Sequence, residues 1–415
     1  MIGTITEPAR QTPVLADYDV VVCGGGPAGV AAAVSAARAG ARTCLLEMHG
    51  SLGGIWTLGR MAFICGMHQG KAGILREIVA ELTAREAVGL SGRSFDIEAT
   101  KLLLDQLCLE AGVRIRLHTR VVDVVLDHNN RVSTVITESK SGREAWCARV
   151  FIDCTGDGDV AALAGCGFDV GRPDTGETQP MSFVAVLSGL HLDDVRPYTN
   201  ARDPEPGQSR IVHKDRLREL LDSAGTSPSY SLPTLFHVRD DLFMLMANHE
   251  YGKSGLDADQ ITQATLHGRA EVHAQVQALR RLGGAWEDVH IVATSDQIGV
   301  REARRIHGRY TVTTQDLIAG ARHPDAVSRC HFGVDIHTTD PAQDKGLGND
   351  GIRSVPYDIP LRALIAKDVD GLMMAGRCIS GDFFAHASYR VTAEAVPMGE
   401  AAGRAAAQAA TGIND

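Results

Sequence analysis

The chain has 415 residues, enough for two or three domains with large cores, and its 44% hydrophobic and 22% charged content is that of an ordinary globular protein. A formal net charge of −10 excludes a nucleic-acid partner that neutralises phosphates, so any bound phosphate must be held by local dipoles. The nine cysteines form no C-x-x-C pair, which predicts free thiols in a reducing compartment. With no signal-type apolar core at the N-terminus and no apolar run of about 18 residues, a soluble, cytoplasmic chain without a membrane span is expected.

Residues 1–17 are polar, contain two prolines and are expected to be a flexible segment. The next stretch, Tyr18–Glu47, organises the rest. A short apolar run, Val20–Cys23, meets Gly24-Gly25-Gly26-Pro27-Ala28-Gly29 and enters an Ala-rich helix that stops at Ala39–Gly40. A second apolar run, Thr43–Leu46, closes on Glu47. This is a βαβ dinucleotide fingerprint, with Gly24, Gly26 and Gly29 at the G-x-G-x-x-G positions. Gly24 permits the tight turn, Gly26 the approach of a pyrophosphate, and Gly29 the close packing of helix on sheet. Free N–H groups at the helix start face the phosphates. Glu47 follows Gly29 by 18 residues, near the roughly 20 expected of an acid that binds a ribose hydroxyl.

Gly53–Gly54, just past the second strand, offer another close backbone approach, and Trp56 follows them. Residues 71–88 and 97–111 show helical spacing, and Val113–His118 reads as a strand. Arg120–Asp127, Arg131–Glu138 and Glu144–Asp153 alternate as a three-stranded meander that delivers Thr155-Gly156-Asp157 and a small-residue helix start. From about 175 to 350 the texture changes. Strands are expected over Pro180–Leu187 and Asp241–Asn248, with a helix over Ala258–Leu282 continued by the Arg-rich segment 298–310. The second formal match, Gly346-x-Gly348-x-x-Gly351, lacks a strand before it and a helix after it and is rejected. Strand Val369–Ala375 then leads to Gly376–Asp382 and a helix over Arg390–Ala410, whose first turns Pro397 is expected to break or kink. The fold class is therefore α/β: a Rossmann-like domain (parallel sheet plus three-stranded β-meander) built from 18–175 and 351–415, with an inserted mixed α+β substrate domain at 176–350.

With these four stations placed, the chain resembles the FAD-dependent oxidoreductases of the glutathione-reductase-like flavoprotein superfamily. The likeness is nearest to the broad group related to succinate dehydrogenase and fumarate reductase flavoproteins, and it covers 18–60, 96–170, 296–337 and 355–412. It implies FAD, held non-covalently. Gly24, Gly26, Pro27, Ala28 and Gly29 would face the pyrophosphate, Glu47 and Met48 the adenosine ribose, and the backbone of Val121 the adenine. Gly53, Gly54 and Ile55 would follow the flavin side. Thr155, Gly156 and Asp157 match the second Thr-Gly motif, and Gly376, Arg377 and Asp382 the C-terminal motif at the ribitol, whose following helix points at the flavin N1–C2=O. The redox dithiol of disulfide reductases, the Trp-x-Trp-x-Ile-Pro run of tryptophan halogenases and a good aromatic-hydroxylase Asp-Gly segment are absent.

The expected reaction passes a hydride from a small molecule's CH–OH or CH–CH carbon to the flavin N5. An external acceptor (O2, a quinone or a carrier) follows. Reduction of an activated C=C bond, or a non-catalytic flavin sensor or subunit, is the alternative. His386 is the first choice for the general base and Arg390 for a substrate carboxylate or the flavin carbonyl, each against a structural role. Arg301, Arg304 and Arg305 at i, i+3 and i+4 would share one helical face suited to an anion, or to solvent. His331, Asp335 and His337 beside Cys330 could line the pocket or bind a metal; they have no matched second pair, so no metal is expected. His49 and His68 are spaced poorly from Gly53–Gly54 for a covalent flavin link. Oligomeric state and substrate identity are not encoded in any motif.

Overall fold

Val20–Cys23 have no exposed surface and lie between two parallel neighbours, which is why the run is apolar throughout and does not alternate. In the computed structural model, which describes residues 3–68, 73–200, 211–339 and 347–412, they end strand β1 (Val14–Cys23). The chain turns into helix α1 (Pro27–Arg38) and returns as β2 (Thr43–Leu46). Helices α2 (Gly73–Ala84) and α3 (Ile97–Glu110) follow, the second started by Asp96, whose carboxylate accepts the Ala99 N–H at 2.8 Å. After β3 (Arg114–Arg116) comes the meander of β4 (Arg120–Leu126), β5 (Val132–Ser139) and β6 (Gly142–Asp153). The sheet order is β3-β2-β1-β6-β5-β4, with the first four strands parallel and the last two antiparallel.

After α4 (Asp159–Leu163) and β7 (Phe168–Val170) the chain builds a second sheet. Its strands are β8 (Val184–Ser188), β9 (Thr234–Arg239), β10 (Leu242–Met246) and β11 (His290–Thr294), antiparallel in the order β11-β8-β10-β9. Helices α5 (Leu192–Val195), α6 (Val212–Ser223) and the long α7 (Ala258–Arg281) share a separate core with it, in which Phe183, Phe243, Val272 and Leu279 are buried. Strand β12 (Arg304–Ile306) then pairs with β7, and Ile306 packs into the first core. After α8 (Thr314–Ala319), β13 (Ala326–Cys330) pairs with β16 (Tyr357–Pro360), with the short hairpin of β14 (Ile336–His337) and β15 (Leu347–Gly348) between them. Finally β17 (Leu372–Met374) adds to β6 in parallel, ahead of α9 (Phe383–Tyr389) and α10 (Thr392–Thr411).

The last helix lies alongside the first. A Cβ on Gly399 would stand 2.0 Å from the Ala28 carbonyl oxygen, and one on Gly403 2.2 Å from that of Ala32, so the backbones touch and the helices run in the same direction. Glycine inside a helix costs about 1 kcal/mol against alanine; here the close approach of two helices requires it. The first turns of both helices therefore face the same way. Gly376 lies between them, with its Cβ position 3.1 Å from the Ala28 Cβ and 3.9 Å from that of Ala395.

Three local expectations change. Val14–Asp17 extend β1 along Ala145–Cys147 and are not loose. The segment 298–310 is not helical, because pairing of Arg304–Ile306 with β7 overrides the i, i+3, i+4 spacing, and the three arginines diverge. Pro397 lies inside an unbroken α10; the break falls earlier, at Arg390–Val391, where α9 ends. Residues 71–72 of the first surface helix and Gly346 of the rejected motif lie outside the described residues.

Candidate active site

Gly24 (φ +102°) turns the chain against the end of β6; a Cβ there would meet the Cys154 carbonyl oxygen at 2.4 Å. A Cβ on Gly29 would stand 1.7 Å from the Gly24 carbonyl oxygen. Gly26, in contrast, faces open space and starts α1 with no side chain capping the helix and no acid in its first turn. Gly53 donates its N–H to the Gly25 carbonyl at 2.8 Å, and the Cβ position of Gly54 lies 3.0 Å from the Gly26 Cα. Glu47 is buried, accepting the Gly25 N–H at 2.6 Å and the His49 N–H at 2.8 Å. At the start of α10 the Thr392 hydroxyl is buried with no hydrogen-bond partner, and Val391 provides no side-chain cap. A bare glycine cradle, two uncapped first turns that face the same way and an orphaned hydroxyl fit a phosphate-bearing dinucleotide.

Asp153 holds the neighbouring turn together. Its carboxylate accepts the Thr155 N–H (3.0 Å), the Thr155 hydroxyl (2.7 Å) and the Ala161 N–H (2.9 Å). Burial pushes the carboxyl up to about 6, against the pull of those bonds. Arg377 crosses Gly156 to pair with Asp157 at 2.7 Å.

The second sheet meets this cradle through a short chain of contacts. The Cβ position of Gly299 is 3.2 Å from the Ile55 side chain, and two residues later comes Arg301. Arg301 donates to the Pro180 carbonyl at 2.6 Å, and among the described residues no carboxylate pairs with it. Burial and the nearby Arg390 push its guanidinium down to about 10, still a cation at neutral pH. Arg390 donates to the Asp335 carbonyl (2.8 Å) and to Gln179 Oε1 (3.2 Å), with Asp335 Oδ2 at 3.4 Å. Gln179 Oε1 also accepts the His337 N–H at 3.0 Å. Burial acts to raise the Asp335 carboxyl, yet His337, Arg390 and Arg301 hold it well below the usual carboxylate range.

From Asp335 a line of polar groups runs into the second sheet's side. His337 Nε2 stands 3.5 Å from Asp335 Oδ2, and His337 Nδ1 2.9 Å from His249 Nε2. His249 Nδ1 is 3.0 Å from the Tyr251 hydroxyl, which donates to the Ser229 carbonyl at 3.1 Å. The Tyr230 ring stacks on His249 with centroids 4.0 Å apart and sets its plane. Burial, then the charge of Arg301, pushes His337 down to about 3 and His249 well below its ordinary value, so both imidazoles are neutral.

The family model for FAD dependent oxidoreductases matches residues 19–413. The chain belongs to this family. It is an FAD-dependent enzyme. Over 182 residues it is 31% identical to thiamine thiazole synthase of Methanococcus vannielii, which covers 39% of this chain and 66% of that one. Over 45 residues it is 52% identical to dihydrolipoyl dehydrogenase of Trypanosoma brucei brucei, 11% of this chain and 9% of that one. The chain thus spans less than two thirds of the length of either relative. The solved structure of the flavin-dependent brominase Bmp2 shares the fold, with a TM-score of 0.51 at 14% identity over 96% of this chain and 81% of that one.

Within this flavoenzyme the residues expected at the cofactor fall into two groups. Gly24, Gly26, Pro27, Ala28, Gly29, Glu47, Gly53, Gly54, Thr155, Gly156 and Gly376 meet around the two first turns or the strand ends beside them. Asp382 is committed elsewhere: one oxygen caps α9 through the Ala385 N–H, and the other accepts from the Thr314 N–H and hydroxyl. Arg377 and Asp157 spend charge on each other. Met48 is half exposed, Val121 sits in β4 opposite Thr137, and Ile55 touches the second sheet's side. His68 packs on His331, centroids 3.9 Å apart.

His386 is fully buried in α9, and neither ring nitrogen makes a hydrogen bond of normal geometry, although the Arg377 backbone comes near. Burial, with Arg305, Arg390 and Arg377 around it, pushes it well below its ordinary value. Arg304 donates to the Asp157 carbonyl and pairs with Asp159, while Arg305 forms a buried ion pair with Glu302 and donates to the Gly171 and Gly381 carbonyls. His249, Tyr251, Gln179 and Asp153 were not singled out from the sequence. The one local signal was a His-x-Tyr step just beyond an apolar strand.

Proposed function

We propose that this enzyme, a flavoprotein of the glutathione-reductase-like kind, removes a hydride from the CH–OH carbon of a small organic anion and passes the electrons to an external acceptor such as O2, a quinone or a carrier. The observation that carries this reading is Arg301, a buried cation that has one carbonyl partner and no carboxylate among the described residues, beside Arg390 and one contact away from the Gly53–Ile55 loop. A buried charge left without a counter-ion costs several kcal/mol, so an anionic ligand is the natural partner. Bound FAD supplies a two-electron hydride acceptor.

The chain's own groups do the rest. Arg301 takes the substrate carboxylate, and Arg390, anchored by Gln179 and Asp335, sets the edge of the site. The uncapped first turns of α1 and α10 hold the cofactor's anionic parts by their dipoles. The stacked rings of Tyr230, His249 and His337 keep water away from the reacting carbon.

The experiment is an anaerobic titration of the yellow holoprotein with short 2-hydroxy acids, neutral alcohols of the same length and, with reduced dye, enoates. Bleaching of the flavin band by hydroxy acids, with neutral alcohols at least tenfold less effective, is expected. Bleaching by no hydroxy acid, or dye oxidation by enoates alone, would rule the reading out.

A further inference from the structure

We infer that His337 Nε2 is the proton acceptor of this site, and that Tyr251 and His249 act as positioning residues that fix which of its two nitrogens is basic. The inference rests on the proposed oxidation for its chemistry, and on hydrogen-bond logic for its assignment.

The Ser229 carbonyl only accepts, so the Tyr251 hydroxyl donates to it at 3.1 Å. The Tyr251 oxygen is then the acceptor for His249 Nδ1–H at 3.0 Å. A neutral imidazole carries one proton, so His249 Nε2 has a lone pair and takes a hydrogen from His337 Nδ1 at 2.9 Å. His337 is left with its lone pair on Nε2. Nε2 stands 3.5 Å from Asp335 Oδ2, longer than a normal N–H···O bond. Nε2 is on the side where Asp335 and Arg390 lie, and the His337 side chain keeps 7% of its surface accessible.

When the substrate hydroxyl is deprotonated its O–H bond breaks, the electron pair stays on oxygen, and an N–H bond forms at Nε2. The imidazolium produced has the Asp335 carboxylate as counter-ion within 3.5 Å. The new proton gives Nε2–H a donor's role toward Asp335, a second arrangement the same distance allows after small closure. The ring of His386, by contrast, has no hydrogen bond of normal geometry at either nitrogen and is surrounded by guanidiniums.

The test is nitrogen-15 NMR of histidine-labelled holoenzyme without substrate, together with flavin-reduction kinetics of three variants. In the resting enzyme, His337 is expected to show the Nδ1–H tautomer, and Tyr251→Phe to release it into a mixture. His337→Gln should slow flavin bleaching at least a hundredfold with bound FAD and KM kept, and Tyr251→Phe roughly tenfold. His386→Gln should change it less than threefold. An Nε2–H tautomer at His337 in the resting enzyme, or a His337→Gln variant that bleaches at the wild-type rate, would overturn the assignment. The tautomer measurement needs no substrate, so a failed hydroxy-acid titration would defeat the proposed oxidation while leaving the assignment of the nitrogen intact.

Discussion

Gly399 meets the carbonyl oxygen of Ala28 with no side chain between them: the position of a Cβ lies 2.0 Å from that oxygen. In an exposed helix, Gly→Ala stabilises by about 1 kcal/mol. Here the sign reverses. Gly399→Ala must push α10 off α1 and is expected to cost about 1–3 kcal/mol, as overpacking does. Thermal unfolding of the FAD-saturated protein checks this, and an unchanged or raised midpoint would contradict the close-packed pair.

Glu47 joins the cofactor turn to the loop after β2, because its two oxygens accept from Gly25 and His49 separately. Glu47→Ala strands both N–H groups, each at a cost of about 1–3 kcal/mol where buried. A rise of at least tenfold in the FAD dissociation constant is expected, read by flavin fluorescence as FAD is added to apoprotein. Retention of wild-type affinity would remove Glu47 from the cofactor site.

Among the described residues Arg301 makes a single hydrogen bond, so its loss should leave the fold and the flavin in place. A charged hydrogen bond contributes about 1.5–3 kcal/mol, roughly 10- to 100-fold in affinity. Arg301→Gln is expected to raise KM for the anionic substrate by that factor while kcat changes little. The split between the two constants, measured by steady-state kinetics, is the check; a fall in kcat alone would place Arg301 in the chemistry instead.

Three imidazoles are kept neutral by burial first and neighbouring guanidiniums second: His249, His337 and His386. Their folded values lie below the unfolded value of about 6.5, so the unfolded chain takes up protons first as pH falls. The stability they contribute is complete above about pH 6.5 and is lost below it, by about 1.4 kcal/mol per pH unit for each ring. His386→Phe should flatten the stability profile between pH 6 and 5 by one such share. Urea unfolding at several pH values measures it, and an unchanged slope would mean that the ring is charged or partnered in the native state.

The dinucleotide turn was legible because each of its requirements is local: a positive φ at Gly24, the missing Cβ at Gly29, a carboxylate one strand later at Glu47. The meander was legible for the same reason, since two-residue alternation and Gly or Asn turns lie within a few positions of each other. The candidate site was not. His249 and His337 are 88 positions apart and come together only when the second sheet is set against the β14 hairpin. The three arginines 301, 304 and 305 have helical spacing, yet a strand partner at Phe168–Val170 decided their directions. Asp335 and His337 were visible as a pocket-lining pair, but which nitrogen faces the pocket depends on a carbonyl at Ser229 that no motif contains.

The order in which the chain is made adds a further consequence. Strand β1 and helix α1 leave the ribosome before β17 and α10, which add to the sheet beside β6 and cover the Ala-rich face of α1. At about 5–20 residues per second the nascent protein spends tens of seconds with that alanine face bare. The packing of α1 against α10 therefore forms only after α10 has been made.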